Sequence, residues 1–449
     1  MKPLFVGAAL LIVAAAPVHA DTAQILSGSP SVLSLEEALE LAVASDPWQV
    51  GSEFRERALI ESSEAIGQLP DPRVKLMAGN LPVDSWSLNQ EPMTHLSVGF
   101  QQVIPRGDSL SLKRARGYQQ VSEERVRRSD RYAQVRLQVS HLWLDVVQSV
   151  MTRDRLRASK ALLHNLEELI QARYRTGMAE VSQSDLVRAS VELTRIDERI
   201  AQADQNLAVA RQRLHAWIGE RANNNPGQLP ELEVTQSPLH ALLAESVQST
   251  DLQLFNYIEN HPRLRALATQ VEAAKIDVAL AEESVKPSWA IEASYGYRAD
   301  DRLGRDRADL FSVGLSFELP MFTSERQDRS IRASKATAAS VETDRQLVIR
   351  ELMKQLRSAL VTFKHAQARY RTYIDSLIPQ LQLHVETSLL AYNNDQSELS
   401  EAIVAHITAL NTDIDFIRVD IERRRALASL NYFTYASAGS DGAVQQEEG

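Results

Sequence analysis

The chain has 449 residues, 44% of them apolar and 24% charged, with a formal net charge of −10 and no cysteine. That composition excludes a collagen-like or wholly disordered chain. The missing cysteines exclude a disulfide framework, thiol catalysis, a Cys zinc site and a lipidated N-terminal Cys, and the acidic balance argues against a nucleic-acid partner.

Residues 1–20 read as a signal peptide. Lys2 is the charged n-region, Leu4 to Ala16 the apolar h-region, and Val18-His19-Ala20 ends on a small residue suited to cleavage. The run is short of the roughly 20 residues that a membrane-spanning helix needs. The mature chain is expected to begin at Asp21, and loss of Lys2 moves the formal charge from −10 to −11.

Ser34-Leu35-Glu36-Glu37 is a capping box that opens a helix, and Asp46-Pro47 interrupts it. From Ser109 to Tyr174 there is no proline and one glycine, Gly117, while Val135, Val139, Leu142, Val146 and Val150 recur at helical spacing. The pattern predicts one helix close to 100 Å long. Arg175-Thr176-Gly177 breaks it, and Ser182 with Asp185 opens a return helix to about Ile218. The second half repeats the plan: a helix from about Leu252 to Glu283, a long one from about Arg326 to Leu390, a turn at Tyr392-Asn393-Asn394-Asp395, and a last helix from about Ser400 to Leu430.

Four segments alternate with period two, as strands do. They are 73–81, 95–104, 288–297 and 310–319. Val98 and Phe100, Trp289 and Ile291, and Phe311 and Val313 fall on their apolar faces. Each is about ten residues long with one apolar and one polar face, the pattern of a strand crossing a membrane with lipid outside and water inside. Trp289, Tyr295, Tyr297 and Phe311 are candidates for the aromatic girdles of such a wall.

A fixed offset of 215 carries Pro47 to Pro262, Pro72 to Pro287, Leu76 to Ile291, Val98 to Val313, Gly99 to Gly314 and Pro105 to Pro320. The chain is therefore read as a duplication: a first repeat over 21–218, a linker over 219–250, a second repeat over 251–436 and a disordered tail over 437–449. Each repeat is helix, strand, strand, long helix and return helix. Four strands cannot close a barrel in lipid, so the chain must oligomerise; two copies would give 8 strands and three would give 12.

With these residues in place, the sequence resembles the outer-membrane efflux protein (TolC) family across nearly the whole mature chain. The resemblance rests on the duplication, Ser-Leu-Glu-Glu-Ala-Leu at 34 to 39, Asp46-Pro47, Leu69-Pro70-Asp71-Pro72, the strand endings at Pro105 and Pro320, and the Tyr174-Arg175-Thr176-Gly177 turn. It implies a mainly α protomer with a small transmembrane β part. It further implies a homotrimer with a 12-stranded barrel in the outer membrane, continued by a long periplasmic helical barrel. The implied partners are a periplasmic adaptor (membrane fusion protein), an inner-membrane resistance-nodulation-division pump and outer-membrane lipid. Separately, the sequence holds no His-Glu-x-x-His, Gly-x-Ser-x-Gly, Walker loop or dinucleotide fingerprint, so no cofactor and no enzymatic activity are expected. The segment from Leu69 to Thr94 looks most like members that serve heavy-metal pumps, which implies metal cations as cargo; a drug-efflux or type I secretion duct is the alternative. A periplasmic coiled-coil adaptor or scaffold is the rival from another class, and it leaves the four alternating segments unexplained.

The resemblance also implies sites. Adaptor docking falls at Tyr174, Arg175, Thr176 and Gly177 and at Tyr392, Asn393, Asn394 and Asp395, and a periplasmic gate at Glu401 or its neighbour Glu398. For Glu401 the alternative is a solvated glutamate favouring the N-terminal end of a helix dipole. Met93 and His95, in the first inter-strand loop, are read as ordinary loop residues ahead of soft-cation ligands. Acidic residues along the helices are read as solvated faces, and no helical pair of histidines at metal-ligating spacing occurs in the sequence.

Overall fold

A computed structural model describes residues 32–175, 183–229, 243, 251–394 and 396–438. The signal peptide, most of the linker and nearly all of the tail lie outside the described residues, as do Thr176, Gly177 and Asp395.

The first repeat runs α1 (Leu35–Ala44), α2 (Pro47–Ile66), β1 (Arg73–Gly79), β2 (His95–Ile104), α3 (Ser109–Arg175) and α4 (Gln183–Ile218). The second runs α5 (Asp251–Ile258), α6 (Pro262–Glu282), β3 (Ser288–Tyr297), β4 (Leu310–Glu318), α7 (Gln327–Thr372), a π-helical segment (Tyr373–Leu377), α8 (Ile378–Asn393) and α9 (Leu399–Ala438). Local chemistry fixes the starts. Ser34 Oγ accepts from Glu37 N at 3.1 Å, and Asp46 Oδ1 accepts from Trp48 N at 3.2 Å with Pro47 in the first turn, where its missing N–H costs nothing.

Several boundaries differ from the sequence reading. The helix expected over 252–283 is two helices, because Pro262 cannot continue α5 and His261 caps a new one. The helix expected over 326–390 is interrupted: the ring of Pro379 would collide with the carbonyl four residues back, Asp375, and the π segment widens the turn there. β1 stops at Gly79, short of 81, because Asn80 takes a left-handed backbone, φ 52°. β4 ends at Glu318, just before Leu319-Pro320. The last helix runs on to Ala438, into the expected tail.

α3 has 67 residues, about 100 Å of helix, and 327–393 matches it residue for residue at an offset of 218. The change from 215 to 218 is taken up between strand and helix, where 319–326 is longer than its counterpart 105–108. Gly117 has a packing reason: a Cβ there would strike Ser63, so the glycine lets α2 lie close along α3.

The core is a series of patches along the helices, not one globule. At the first, Leu33, Ala38, Val139, Trp143, Leu214 and Ile421 are buried together, and Trp143 Nε1 donates to Leu33 O at 3.3 Å. A second gathers Ile258, Leu264, Leu352, Leu356, Leu430 and Phe433. Two more follow α3, α4 and α9 toward the far turns. The strands form one antiparallel sheet in the order β1-β2-β3-β4, so that β2 and β3 join the repeats and β1 and β4 are its edges.

Candidate functional site: the strand wall and the far turns

Register decides what the sheet presents. Val98 stands opposite Leu76 on one side and Tyr295 on the other; Ala293 stands opposite Phe100 and Val313; Ile291 opposite Leu315; Trp289 opposite Ile104 and Phe317. Every predicted strand residue, Val98, Phe100, Trp289, Ile291, Phe311 and Val313, therefore lies on one face, and all six are exposed, Phe311 at 72% and Val313 at 68%. Unburied apolar area of this extent belongs against lipid or another chain. The other face carries Lys75, Ser97, Gln101, Glu292 and Ser312, with Lys75 and Glu292 paired at 3.7 Å.

Aromatics mark both ends of the apolar face. Trp289 stacks on Phe317 at 5.1 Å between centroids near the helices, while Tyr295, Tyr297 and Phe311 lie at the loop end. Six to eight residues separate the two groups along β3, about 20–26 Å, close to the height of an outer-membrane apolar band. Beyond it, Arg307 donates to Glu91 O at 3.0 Å and Arg302 to Gln90 Oε1 at 3.1 Å, tying the two outer loops together. His95 Nδ1 lies 2.9 Å from the Met93 carbonyl, so the pair meets through the backbone and not through the thioether.

Strands and helices are clamped where they join. Arg106 donates to Ser284 O at 2.9 Å and to Glu318 at 2.7 Å, and Glu283 accepts from Asp108 N at 3.0 Å. Gly107, with φ 42°, sits under the Glu283 carboxylate where a side chain would not fit.

At the opposite end of the helices the predicted turn residues divide. Tyr174 and Arg175 end α3 exposed, and Asn393 and Asn394 are exposed at the end of α8. Tyr392 is buried at 6% among Ile170, Ala189, Leu399 and Ile403, so it anchors the turn from inside. Glu398 and Glu401 are both exposed in the turn before α9 and its first turn; Glu398 accepts from Ser400 Oγ at 3.1 Å, and its carbonyl accepts from Glu401 N at 3.1 Å.

Sequence reasoning missed two polar clusters. In the first, Ser159 Oγ lies 2.8 Å from His406 Nε2, beside the Arg155–Asp413 pair, lining a cavity of about 400 Å³ between α3, α8 and α9. Burial, with the nearby Arg155, holds the His406 imidazole below its usual value. In the second, Asp420 binds Arg423 at 2.6 Å and Arg424 at 3.0 Å, all three nearly enclosed, with the Arg423 guanidinium 3.7 Å above the Tyr370 ring. Their i, i+3 and i+4 spacing was visible, but spacing alone does not tell a buried pair from a solvated one.

Residues 256–430 match the model of the outer membrane efflux protein family. The chain is 20% identical to outer membrane protein TolC of Vibrio cholerae over 391 residues, 84% of this chain and 82% of that one. Its fold matches that of VceC from Vibrio cholerae with a TM-score of 0.71 at 13% identity, covering 89% of this chain and 95% of the other. It matches that of CusC with a TM-score of 0.68 at 12% identity, covering 89% and 91%. It matches the Neisseria gonorrhoeae MtrE channel with a TM-score of 0.67 at 12% identity, covering 90% and 88%. Residues 256–430 thus match the outer membrane efflux protein family, and the fold over nearly nine-tenths of the chain is similar to that of TolC-like channels, in keeping with a non-catalytic protein of the outer membrane that extends into the periplasm.

Proposed function

We propose that the protein is the homotrimeric exit duct of a tripartite efflux system, receiving cargo from a periplasmic adaptor and an inner-membrane resistance-nodulation-division pump. The observation that carries this is the sheet: four strands with one largely apolar, exposed face and two edges, β1 and β4, unpaired within the chain. An open edge in lipid leaves backbone groups unsatisfied, and three copies close it at twelve strands, wide enough for a water-filled lumen. A coiled-coil scaffold in the periplasm gives that apolar face nothing to cover it.

For cargo, drug-type efflux or type I secretion is the reading we adopt in place of metal cations. The fold scores against six solved structures lie between 0.67 and 0.71, so none of them singles out a metal-specific branch, and a duct for general efflux is the reading that needs no such branch. Adaptor docking is assigned to the far turns at 174–177 and 392–395, and the periplasmic gate to Glu401 with Glu398 beside it. Light scattering on protein extracted from outer membranes in detergent is the test. A mass of three chains is expected; a helical monomer, or a protein released without detergent, would defeat the reading.

A further inference from the structure

The sheet contains one seam between repeats, β2 against β3, in the register Ile104↔Trp289, Gln102↔Ile291, Phe100↔Ala293 and Val98↔Tyr295. Two prolines frame its helix end: Pro105 follows β2 and Pro287 precedes β3, and neither can donate to a ladder. The duplication sets the same frame at both free edges. Adding 215 turns Pro105 into Pro320 beyond β4, and subtracting 215 turns Pro287 into Pro72 before β1. β4 thus ends as β2 ends, and β1 begins as β3 begins.

We propose that β4 of one copy pairs antiparallel with β1 of a second copy in the register of the internal seam. Leu315 then stands opposite Ala78, Ser316 opposite Met77, and Glu318 opposite Lys75 of the neighbouring copy. This rests on the trimer reading and adds the alignment of its subunits.

Three features agree with that register. Leu315 and Ala78 continue the apolar face without a step, whereas a slip of one residue would turn every apolar side chain of the incoming strand inward. Glu318 meets Lys75 directly across the seam; the Glu318 side chain is 73% exposed and that of Lys75 60%, so both have room to turn toward a neighbour, and opposite charges in that position favour pairing. The barrel also closes sensibly. The pairings carry Arg73 to Gln101, Glu292 and Gly314, and the proposed seam carries Gly314 to Gly79 of the next copy, six residues on from Arg73. Three copies make eighteen residues of stagger over twelve strands, a tilt of about 45° at ~3.3 Å per residue and ~4.8 Å between strands. A slip of two residues that set Glu318 opposite Met77 would need about 55°, beyond the usual 35–45°. The opposite slip, Glu318 facing Arg73, needs about 35° and is the competitor to separate.

The chain has no cysteine, so introduced pairs report without background. The full-length protein would carry A78C with L315C, or M77C with S316C, and be oxidised in outer membranes before non-reducing electrophoresis. Adjacent pairs in an antiparallel ladder alternate between wide and narrow spacing, so one of these two is the narrow kind. The competing register is probed by L76C with L315C and K75C with S316C. Linked dimers and trimers are expected from one of the first two pairs, about tenfold faster than from the competing pairs, whose diagonal separation of about 7–8 Å exceeds a disulfide's reach. A protein that sizes as a trimer yet closes none of these pairs, or closes the competing pairs as fast, overturns the register and leaves the trimer standing. A monomer by sizing overturns the trimer itself.

Discussion

Asp46 and His261 hold the same place in the two repeats and start the same helix with different chemistry. Asp46 accepts from Trp48 N at 3.2 Å and from Arg131 Nε at 2.7 Å, an anion with a cation partner. His261 accepts through Nδ1 from Arg263 N at 3.2 Å and lies edge-on to Tyr432 at 4.8 Å, a neutral ring among aromatics. The hydrogen bond from Arg131 holds the Asp46 carboxyl below its usual value against the opposing effect of burial. Burial, with Arg263 nearby, pushes His261 down to about 4.

The two caps respond to acid in different windows. His261 refuses a proton in the folded state until about pH 4, whereas in the unfolded chain it takes one from about pH 6.5. The unfolded state therefore binds more protons over that interval, and stability falls as pH drops through it, by about 3 kcal/mol in all. Asp46, with a depressed folded value, stabilises above its unfolded value near 4 and loses that contribution only as pH falls further. Thermal melts followed by circular dichroism from pH 7 to 4 should show the slope. His261→Asn, which keeps a capping acceptor without the titration, should flatten the slope by the share of His261, leaving the parts due to His141 and His406, both also held low by burial, and to carboxylates with shifted values such as Asp130. An unchanged slope in that variant would remove His261 from the account.

The buried charge cluster on α9 makes a second expectation. Asp420→Ala removes the carboxylate that Arg423 and Arg424 share, leaving Arg423 with Gln367 and the Tyr370 ring; with those side chains only 9% and 13% exposed, it should destabilise by about 3 kcal/mol, since taking the counter-charge from a buried cation costs more than the pair contributed. Asp420→Asn keeps acceptor atoms and should cost less. Urea midpoints of both variants check the order.

These residues also show what the sequence could convey. Alternation alone located the sheet, because period two survives in a strand whatever packs on it, and the offset of 215 located both repeats through six fixed positions. The Ser34 cap was legible because its donor lies three residues away, whereas Asp46-Pro47 was read as a helix break and the cap that Asp46 makes came from the structure. Asp420, Arg423 and Tyr392 were not: burial depends on which neighbouring helix covers a face, and Tyr370, Ile170 and Ala189 come from remote parts of the chain. The break at 373–377 was signalled by Pro379, yet the surrounding apolar spacing is helical on both sides, so periodicity passed over it.

Face assignment on the strands predicts an asymmetry between neighbours. Val98→Arg and Val313→Arg put a cation on the apolar face near mid-strand, at about 2–4 kcal/mol each in a bilayer, and should lower the yield of assembled protein in outer membranes. Ser97→Arg and Ser312→Arg lie on the polar face and should assemble nearly as well as the wild type. Equal yields from all four would show that the face assignment is wrong.

Burial separates structural residues from the proposed docking residues at the far turns. Arg175→Glu and Asn394→Trp change exposed positions and should abolish efflux while leaving trimer mass and melting temperature unchanged. Tyr392→Ala empties a buried site and should lower stability by about 3 kcal/mol, with efflux falling in step. If Arg175→Glu with Asn394→Trp exports at the wild-type rate in a substrate-accumulation assay, docking lies elsewhere.

Glu401 tests the gate. It stands exposed in the first turn of α9, beside Ala402 and Ile403, which are buried and fix the direction of the turn. Three-fold symmetry would gather three such carboxylates, and a ring of that kind attracts cations and repels anions at short range. The duplication does not double the ring: matching Tyr174 to Tyr392 sets Glu401 on Gln183, which is uncharged. Glu401→Gln should therefore reduce cation selectivity and weaken block by di- and trivalent cations in planar-bilayer recordings, while Glu398→Gln, hydrogen-bonded locally to Ser400, should change conductance little. Unaltered selectivity and block in Glu401→Gln would return this residue to a simple helix-start carboxylate, its charge serving the dipole of α9 and nothing in the lumen.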